Sequence, residues 1–368
     1  MKPVKTAVIG CGAISDIYLR NMTGKFSGLE VCACSAAHIE NAQKKAAEYG
    51  IKAATTEEIL ADPGIEMVVI LTPAPAHYDL IRRALLAGKH VYTEKPIATR
   101  LDQGLELLAL AKEKGLRLGC APETFMGSAV QTARKALEDG LCGQLSSFHI
   151  VANRDLTVLA SMFRFLRLPG GGIAYDYGVY YLTALAYLLG SMQRVYAQKG
   201  NLNRIRKNCI PHDPEFGQEY VYDNEAQVNA ILTTQSGITG TLSLNGDSAM
   251  QDQAYFTIQG TGGILQLGDA NQFGGPVRFL PDDPRKCEWR TLEPVSELSD
   301  NCRGIGPADM ARCIRNGGDH LASGEMACHV LDIIEQMMNS AESGTACEIQ
   351  TRFPRQGLLE GTGELLLK

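Results

Sequence analysis

The feature that most constrains this chain is a regular alternation of short apolar runs and helical stretches over residues 1–121. The runs that predict strands are Ala7–Ile9, Leu29–Cys34, Met67–Leu71, His90–Tyr92 and Leu116–Cys120. Stretches rich in Ala, Leu, Lys and Glu lie between them and predict helices. Short strands that alternate with helices of about 10–15 residues are typical of a parallel, doubly wound sheet. We therefore predict a dinucleotide-binding type of α/β domain over residues 1–121.

The pattern changes after about residue 122, where strand-like runs follow one another without helices between them. Turn signals separate these runs, and strands in direct succession favour an antiparallel or mixed sheet. The predicted strands are Leu145–Asn153, Arg194–Gln198, Ala226–Thr234, Gly237–Leu244, Ala254–Gln259 and Gly263–Leu267. The predicted helices are Ala129–Leu137, Tyr175–Leu189 and Gly324–Ser340, and a loop reaches Pro169. Residues 122–368 are predicted to form a second domain of the α/β class.

Composition fits two globular domains and excludes several classes of protein. At about 100–200 residues per domain, a chain of 368 residues has room for two. The formal net charge is −6, whereas nucleic-acid binding requires clustered Lys and Arg. The N-terminus lacks the layout of a signal peptide, and no stretch approaches the ~18 apolar residues that cross a bilayer. We predict neither a nucleic-acid partner nor a membrane partner.

Cysteine and histidine usage predicts a reducing compartment and no structural metal. The eleven cysteines are scattered, and none forms a C-x-x-C pair, which in a long chain favours unpaired thiols over a disulfide scaffold. The seven histidines show none of the close spacings that zinc sites use. We therefore expect a cytoplasmic protein that holds no metal.

A glycine-rich turn, Ile9-Gly10-Cys11-Gly12-Ala13-Ile14-Ser15, follows the first strand and opens the first helix. Gly10 permits a tight turn, and Gly12 leaves room for a pyrophosphate beside the backbone. The helix start at Ala13 and Ile14 offers N–H groups and a positive dipole end to that anion. Ser15 replaces the third glycine of the fingerprint and is small enough to pack against the sheet. We predict a Rossmann domain whose turn binds the cofactor; a plain strand–helix turn is the alternative.

The end of the second strand normally carries an acid that binds the ribose hydroxyls of the cofactor. Here the stretch reads Cys34-Ser35-Ala36-Ala37-His38 and contains no carboxylate. The missing acid removes the usual repulsion against a 2′-phosphate, but no arginine is present to attract one. Ser35 and His38 are candidate contacts, with an exposed loop position as the alternative for His38. The cofactor is predicted to be NAD or NADP, and the choice stays open.

A lysine stands at the end of the predicted strand His90–Tyr92, in the stretch Thr93-Glu94-Lys95-Pro96. The carboxyl ends of strands in an open α/β sheet border the ligand crevice, so Lys95 is expected to point into it. Glu94 and Pro96 would fix the backbone at this position. Glu94 and Lys95 are both candidate cofactor-binding residues, and the alternative for Lys95 is a structural cap.

Other strand ends supply further candidates for the cofactor cleft. Thr72, Pro73 and His77 follow the strand Met67–Leu71, and a packing role at a helix start is the alternative for His77. Glu123 follows the last strand of the first domain and is a candidate contact for the nicotinamide ribose or the substrate. A role at a domain hinge is the alternative for Glu123.

A second polar segment lies in the C-terminal domain, in Gly170-Gly171-Gly172-Ile173-Ala174-Tyr175-Asp176-Tyr177-Gly178-Val179-Tyr180. On a helix, Asp176 and Tyr180 are four residues apart and project from one face. The glycine run would let the start of this helix approach a ligand closely. The alternatives are a capping role for Asp176 and a packing role for Tyr180.

These segments, in this order, resemble the Gfo/Idh/MocA oxidoreductases, the family of glucose–fructose oxidoreductase and inositol dehydrogenase. The resemblance covers nearly the whole chain. Its motifs are Gly10-x-Gly12, Leu71-Thr72-Pro73-x-x-x-His77, Ala87-Gly88-Lys89-His90-Val91-x-x-Glu94-Lys95-Pro96, Asp176-x-Gly178-x-Tyr180, Ile258-Gln259-Gly260-Thr261-x-Gly263, Asp309-Met310 and Ala322-Ser323-Gly324-Glu325.

The resemblance implies a Rossmann domain followed by an α/β domain with a large, open, mostly antiparallel sheet. It also implies that Lys95 and Asp176 lie in the active site, and that the sheet forms a homodimer or a homotetramer. Many members carry His at the position of Tyr180 and an Asp at the position of Thr183. The tyrosine version resembles glucose–fructose oxidoreductase and dimeric dihydrodiol dehydrogenase, and it makes chemistry with a histidine base less expected.

We interpret the chain as an oxidoreductase that moves a hydride between the nicotinamide and a hydroxyl or ketone carbon of a sugar, polyol or glycoside. A free tyrosine has a pKa of about 10, and a nearby ammonium such as Lys95 would lower it. Tyr180 is therefore predicted to transfer the proton, Lys95 to hold the reacting oxygen, and Asp176 to orient Lys95 or a substrate hydroxyl. In an alternative mechanism of equal standing, Lys95 itself transfers the proton. Two other functions remain open: a glycoside-cleaving or epimerising enzyme that uses bound NAD transiently, and a non-catalytic regulator.

Overall fold

The computed structural model describes residues 2–250, 253–285 and 287–368. The strands are β1 Val4–Ile9, β2 Leu29–Ser35, β3 Lys52–Ala53, β4 Met67–Ile70, β5 His90–Thr93, β6 Leu118–Cys120, β7 Leu145–Asn153, β8 Met192–Gly200, β9 Ile205–Lys207, β10 Glu219–Val221, β11 Gln227–Thr234, β12 Thr239–Asn245, β13 Gln253–Gly260, β14 Gly263–Leu267, β15 Arg278–Pro281, β16 Arg290–Thr291 and β17 Cys347–Glu348. The α-helices are α1 Ser15–Gly24, α2 Ile39–Tyr49, α3 Thr56–Ala61, α4 His77–Leu86, α5 Leu101–Lys114, α6 Ser128–Glu138, α7 Leu156–Met162, α8 Val179–Leu189, α9 Ile305–Asn316 and α10 Gly324–Ser343. Tighter 3₁₀ turns cover Ala74–Ala76, Thr124–Met126, Arg164–Arg167 and Glu360–Leu366, and a π-helical turn covers Ala174–Gly178.

The chain divides into two compact units, which differ from the predicted domains. The first unit contains Met1–Gly127 and also takes in Asp300–Cys328 and Gln356–Lys368. The second unit contains Ser128–Ser299 and His329–Arg355. The prediction assigned every residue after 121 to the second domain, so it did not include the two C-terminal segments that return to the first unit.

The first unit is built on a six-stranded sheet in the order β3-β2-β1-β4-β5-β6. Every neighbouring pair in this sheet is parallel. The central strand β4 is buried along its whole length, as expected for a strand covered on both faces. The predicted doubly wound parallel sheet is therefore confirmed. The structure adds the short helix α3, which the prediction missed although Thr55 and Glu58 form a capping box at its start.

Two C-terminal segments complete this unit by hydrogen bonding to its edges. Ala322 accepts a hydrogen bond from the Cys120 N–H at 3.1 Å, next to β6. Near the end of α1, the Ser27 N–H donates to Leu366 at 2.7 Å and the Lys368 N–H donates to Lys25 at 3.0 Å. These partners are hundreds of residues apart, so no local sequence pattern could have predicted them.

The second unit is built on a nine-stranded sheet in the order β16-β15-β14-β13-β7-β12-β11-β8-β17. The pairing of β7 with β12 is parallel, and the other neighbouring pairs are antiparallel. The predicted large, mostly antiparallel sheet is confirmed. Alternate residues of β7 and β11 are buried, and α8 is apolar and almost completely buried. The opposite face of β7, β8, β11 and β13 carries exposed side chains.

The loop predicted before Pro169 contains helix α7 and a 3₁₀ turn. Asp155 caps α7, because one of its carboxylate oxygens accepts the N–H groups of Thr157 at 2.9 Å and Val158 at 3.1 Å. Helix α9, at the C-terminal end of the chain, was also missed. Among the described helices, none has the length and apolar composition needed to cross a membrane.

Candidate active site

The turn after β1 has the shape that a dinucleotide phosphate requires. Gly10 adopts a φ of +110°, and a Cβ there would lie 2.7 Å from the carbonyl carbon of Leu71. At Gly12 a Cβ would meet nothing within 4 Å, and Gly12 and Ala13 are exposed while Ile14 is half-buried. No side chain of the described residues caps the N-terminus of α1. The turn therefore leaves an open cradle of backbone N–H groups for an anion.

A second feature of the same edge fits a bound dinucleotide. The order in which successive strands are added to the sheet reverses between β1 and β4. Ligands of open α/β sheets bind at such a switch point. Thr72 follows β4 there, and its buried hydroxyl has no hydrogen-bond partner among the described residues. Pro73, one residue further, is exposed. The predicted positions of Gly10, Gly12, Thr72 and Pro73 thus fit a dinucleotide at this edge.

The residues predicted to contact the ribose after β2 differ from each other in accessibility. Ser35 is fully buried, its hydroxyl lies 3.2 Å from that of Thr56, and its carbonyl accepts the Gly10 N–H at 2.8 Å. The Ser35 side chain is therefore held inside the unit and its carbonyl supports the turn, while its contact with a cofactor stays a prediction. His38 is exposed at the position before α2, so its contact with a cofactor stays a prediction.

His77 occupies a buried position between two loops of the first unit. Its ring nitrogens each lie 2.7 Å from a carbonyl oxygen, one of Thr72 and one of Pro96. Burial lowers the pKa of His77, and the ring is not exposed. His77 thus joins the loop after β4 to the loop after β5, as the packing alternative expects, and its contact with a cofactor stays a prediction.

Lys95 is positioned by the residue before it. The Lys95 N–H donates to a carboxylate oxygen of Glu94 at 3.0 Å, and the Lys95 side chain is half-buried at the end of β5.

Glu123 is only 1% exposed. It accepts hydrogen bonds from the Tyr92 hydroxyl and from the Gly304 N–H, both at 2.6 Å. Glu123 is thus a buried group of the first unit, and its contact with ribose or substrate stays a prediction.

The second unit holds Asp176 on the π-helical turn Ala174–Gly178. The Asp176 carboxylate lies 3.9 Å from the Arg154 guanidinium, and both side chains are 15% exposed. The same guanidinium lies over the ring of Tyr177, with its carbon 4.0 Å from the ring centre. Arg154 therefore faces both a carboxylate and an aromatic ring at the end of β7.

Two tyrosines near Asp176 form a buried chain that ends on a carboxylate. The Tyr177 and Tyr181 hydroxyls lie 2.8 Å apart, and the Tyr181 hydroxyl donates to Asp269 at 2.5 Å. Burial raises the pKa of Tyr181. Tyr180, in the first turn of α8, is 9% exposed. Tyr177 and Tyr181 are thus packing residues, whereas the catalytic role of Tyr180 and its packing alternative both stay open.

The π-helical turn is anchored by Glu225, which precedes β11. A Glu225 carboxylate oxygen accepts the Ala174 N–H at 3.1 Å, and the Glu225 carbonyl accepts the Ile173 N–H at 3.0 Å. A Cβ at Gly172 would lie 2.0 Å from this carboxylate, so glycine is required for the close approach. Sequence reasoning missed Glu225, since nothing in its local sequence marks a partner fifty-one positions earlier.

The predicted catalytic residues are divided between the two units. Lys95 belongs to the first unit, whereas Asp176 and Tyr180 belong to the second. Within the described residues, no group of three or more His, Cys, Asp or Glu side chains is arranged to hold a metal ion. The convergence of Lys95 and Tyr180 on one substrate stays a prediction.

Two family models match the chain. The NAD-binding Rossmann fold of the Gfo/Idh/MocA oxidoreductase family matches residues 4–121, and the C-terminal domain of the same family matches residues 130–266. An uncharacterized oxidoreductase of Schizosaccharomyces pombe is 32% identical over 56% of this chain and 57% of its own length. The matched segment thus spans less than two thirds of that relative.

Longer matches have lower identity. D-apiose dehydrogenase of Paraburkholderia graminis is 24% identical over 95% of this chain and 91% of that enzyme. The structure of a levoglucosan dehydrogenase in complex with NADH and L-sorbose has a TM-score of 0.82 at 20% identity, covering 95% of this chain and 99% of that one. At this identity the likeness shows the fold. With both of its domain models matched in order, the chain belongs to the Gfo/Idh/MocA family of oxidoreductases.

Proposed function

We propose that this protein is an NAD(P)-dependent oxidoreductase acting on a secondary hydroxyl or ketone of a sugar, polyol or glycoside. The observation that carries the proposal is the position of Lys95, held at the end of β5 by Glu94 in a Rossmann unit of this family. The similarity to D-apiose dehydrogenase along most of both chains supports a sugar-like substrate.

Each predicted catalytic residue has a role that its chemistry suits. When bound, the dinucleotide would accept or supply the hydride. Tyr180 would remove or return the proton of the substrate hydroxyl, and the Lys95 ammonium would stabilise charge on the same oxygen and lower the pKa of the phenol. Asp176, which faces Arg154, would bind a substrate hydroxyl or orient Lys95.

The choice between NAD and NADP belongs to the same proposal. No carboxylate follows β2 in the stretch Ser35-Ala36-Ala37-His38, so the feature that normally rejects a 2′-phosphate is missing. We infer that the chain accepts NADP as well as NAD, with His38 as the exposed polar side chain nearest along the chain to the end of β2.

The test is turnover of a panel of sugars, polyols and glycosides with each cofactor, followed by the absorbance of the reduced nicotinamide. At least one substrate is expected to give a net change in that absorbance.

Lys95→Met is expected to lower turnover by at least about a thousandfold, since charge stabilisation at the reacting oxygen is lost, while cofactor affinity stays within about threefold. Lys112→Met, at an exposed position of α5, is the matched control and is expected to behave like the parent.

Three results would contradict this assignment. Undiminished turnover in Lys95→Met would remove Lys95 from catalysis. Cleavage or epimerisation of a glycoside with no net change in reduced nicotinamide would identify instead an enzyme that oxidises its substrate transiently. Cofactor binding without turnover of any substrate class would favour a regulator.

We also propose that the protein is a homo-oligomer in which a second copy packs on the outward face of the nine-stranded sheet. Ile231 on β11 pairs with Tyr196 on β8, and these side chains are 50% and 39% exposed. Tyr255 on β13 pairs with Val151 on β7, and these are 44% and 38% exposed. Exposed apolar side chains on paired strands favour burial against another protein surface.

A further inference from the structure

Two carboxyl groups lie close together behind the Lys95 segment, inside the first unit. Glu94 follows β5 and is half-buried, whereas Glu123 follows β6 and is 1% exposed. The tyrosines between and beside them, Tyr18 on α1 and Tyr92 on β5, are not exposed. Two carboxylates that share a buried site rarely both stay ionised, because their charges repel at low dielectric.

The hydroxyl of Tyr18 bridges the two carboxyl groups. Its oxygen lies 2.9 Å from Glu94 Oε1 and 3.0 Å from Glu123 Oε2. The Tyr92 hydroxyl donates to the same Glu123 oxygen at 2.6 Å, and the Gly304 N–H donates to the other oxygen at 2.6 Å. Each of these distances is that of a hydrogen bond, so each needs one hydrogen between its two atoms.

Counting hydrogens shows that one is missing if both acids are ionised. Tyr92 and Gly304 each supply the hydrogen for their own contact with Glu123. Tyr18 has one hydroxyl hydrogen but stands between two carboxyl oxygens, and an ionised carboxylate only accepts. The remaining contact therefore requires a proton on Glu94 or on Glu123.

The surroundings place that proton on Glu123. Burial, followed by the charge of Glu94, raises the pKa of Glu123 to about 7. The groups that face this pair from the elements around it are Tyr18, Tyr92, the Cys120 thiol, His77, Lys95 and Arg303. The hydrogen bonds from Tyr92 and the Gly304 N–H and the charge of Arg303 lower the pKa of Glu123, but burial and the charge of Glu94 are the larger effects.

We propose that Glu94 and Glu123 share one proton through the Tyr18 hydroxyl, and that this protonated pair positions the Lys95 segment. The link to Lys95 is direct, because Glu94 accepts the Lys95 main-chain N–H through its other oxygen. Loss of the proton sets two like charges against each other and displaces Glu94 from the Lys95 N–H. Glu123 is thus a positioning residue, and its effect on turnover rests on the proposed role of Lys95.

The proton itself is tested by infrared difference spectroscopy of the full chain between about pH 5 and pH 9. The parent protein is expected to lose one protonated-carboxyl band with a midpoint near 7. Glu123→Gln, whose amide supplies the hydrogen permanently, is expected to lack this band. Glu113→Gln, at an exposed position of α5, is the matched control and should keep it. Glu94→Gln is expected to move the midpoint to lower pH, since the repulsion is gone, which gives a second readout if Glu123→Gln does not fold.

The positioning role is tested by the pH profile of kcat with the substrate found in the panel. The ratio of kcat in Glu123→Gln to kcat in the parent is expected to rise by about tenfold per pH unit above the midpoint, with KM changed less than about twofold. A parent protein without the band, or a midpoint that Glu94→Gln leaves in place, would overturn the shared proton. If the parent protein shows the band but the ratio of the two kcat values does not change with pH, the positioning role is overturned. Because the infrared result needs no turnover, failure of the proposed enzyme activity would be recognised separately.

Discussion

At the scale of single residues, the two glycines of the turn after β1 have different reasons to be glycine. Gly10 has a φ of +110°, and a Cβ would collide with the backbone of Leu71 at 2.7 Å. Gly12 has open space where a Cβ would stand. The first glycine is therefore required by the fold, whereas the second is required by the ligand that the open space would admit.

This difference predicts opposite outcomes for two alanine substitutions. Gly10→Ala is expected to lower the free energy of unfolding by at least about 2 kcal/mol, because it adds both backbone strain and a collision. Gly12→Ala is expected to leave stability within about 0.5 kcal/mol and to weaken cofactor binding by at least about tenfold. Denaturant unfolding and titration with reduced cofactor measure the two effects. Equal stability of the two variants would refute this reading of the turn.

The sequence predicted which positions lie at strand ends but not the direction of every side chain. Gly12 and Thr72 follow β1 and β4, at the edge where a dinucleotide is predicted to bind. Ser35 and Glu123 occupy strand ends as well, yet their side chains point inward because they bond to partners inside the unit. The partner of Glu123, Tyr18, is 105 positions away, and a hydrogen bond over that distance leaves no trace in local spacing.

At the scale of elements, the π-helical turn decides how the second unit presents Asp176 and Tyr180. A π-helical turn widens the helix and is common at functional sites. The sequence predicted one α-helix through Tyr175–Leu189, so the four-residue spacing was interpreted with α-helical geometry. The widening occurs beside Glu225, whose carboxylate and carbonyl accept the Ala174 and Ile173 N–H groups at the start of the turn.

The anchoring of this turn predicts a contrast between two variants of Glu225. Glu225→Ala is expected to lower the free energy of unfolding by about 1–2 kcal/mol, because the Ala174 N–H loses its acceptor, and to lower kcat as well. Glu225→Gln keeps an acceptor oxygen and is expected to match the parent in both. Thermal unfolding and steady-state kinetics measure the contrast. Loss of activity in both variants alike would show that the charge, and not the hydrogen bond, is what matters.

Elements with their own local signal were predicted well, and those stabilised by distant partners were not. Strand β7 was predicted with the bounds that the structure shows. The short strands β9 and β10 were missed, since they pair with each other across a loop and span three residues each. Alternation of polar and apolar residues needs more than three positions to be recognised.

At the scale of the whole molecule, the outward face of the nine-stranded sheet is the surface on which self-association is proposed. Its residues combine exposed apolar side chains with polar cross-strand pairs, such as His149 with Thr241 at 3.0 Å. His149 belongs to β7 and lies on this outward face. Such a mixture of apolar and hydrogen-bonding groups is common at interfaces between protein subunits.

A charge placed in the middle of this face is expected to separate the copies. Ile231→Lys would bury an unpaired ammonium against the second copy, so we expect dissociation to a smaller species in light scattering at equal protein concentration. Leu202→Lys, which alters a 92% exposed apolar residue outside the strands, is the matched control and should leave the mass unchanged. A parent protein that is already monomeric, or an Ile231→Lys variant of unchanged mass, would refute the proposed face.

The predicted division of the chain at residue 121 described the sheets correctly but not the compact units. A change of pattern along the sequence shows where one kind of sheet gives way to another. It cannot show that Asp300–Cys328 and Gln356–Lys368 return to the first unit. Helix α9 illustrates this, because its packing against α1 and β1 depends on partners far away in the sequence.

This return has a consequence for synthesis on the ribosome. Domains generally fold as units while the nascent chain emerges, beginning at the N-terminus. Here the unit that contains β1–β6 is bridged between Phe26 and Leu367, so some of its contacts come from a stretch that is translated after the strands of both sheets. The second unit, by contrast, has all of its strands once residue 348 has emerged. The unit whose sheet is translated first is therefore completed after the sheet of the other unit.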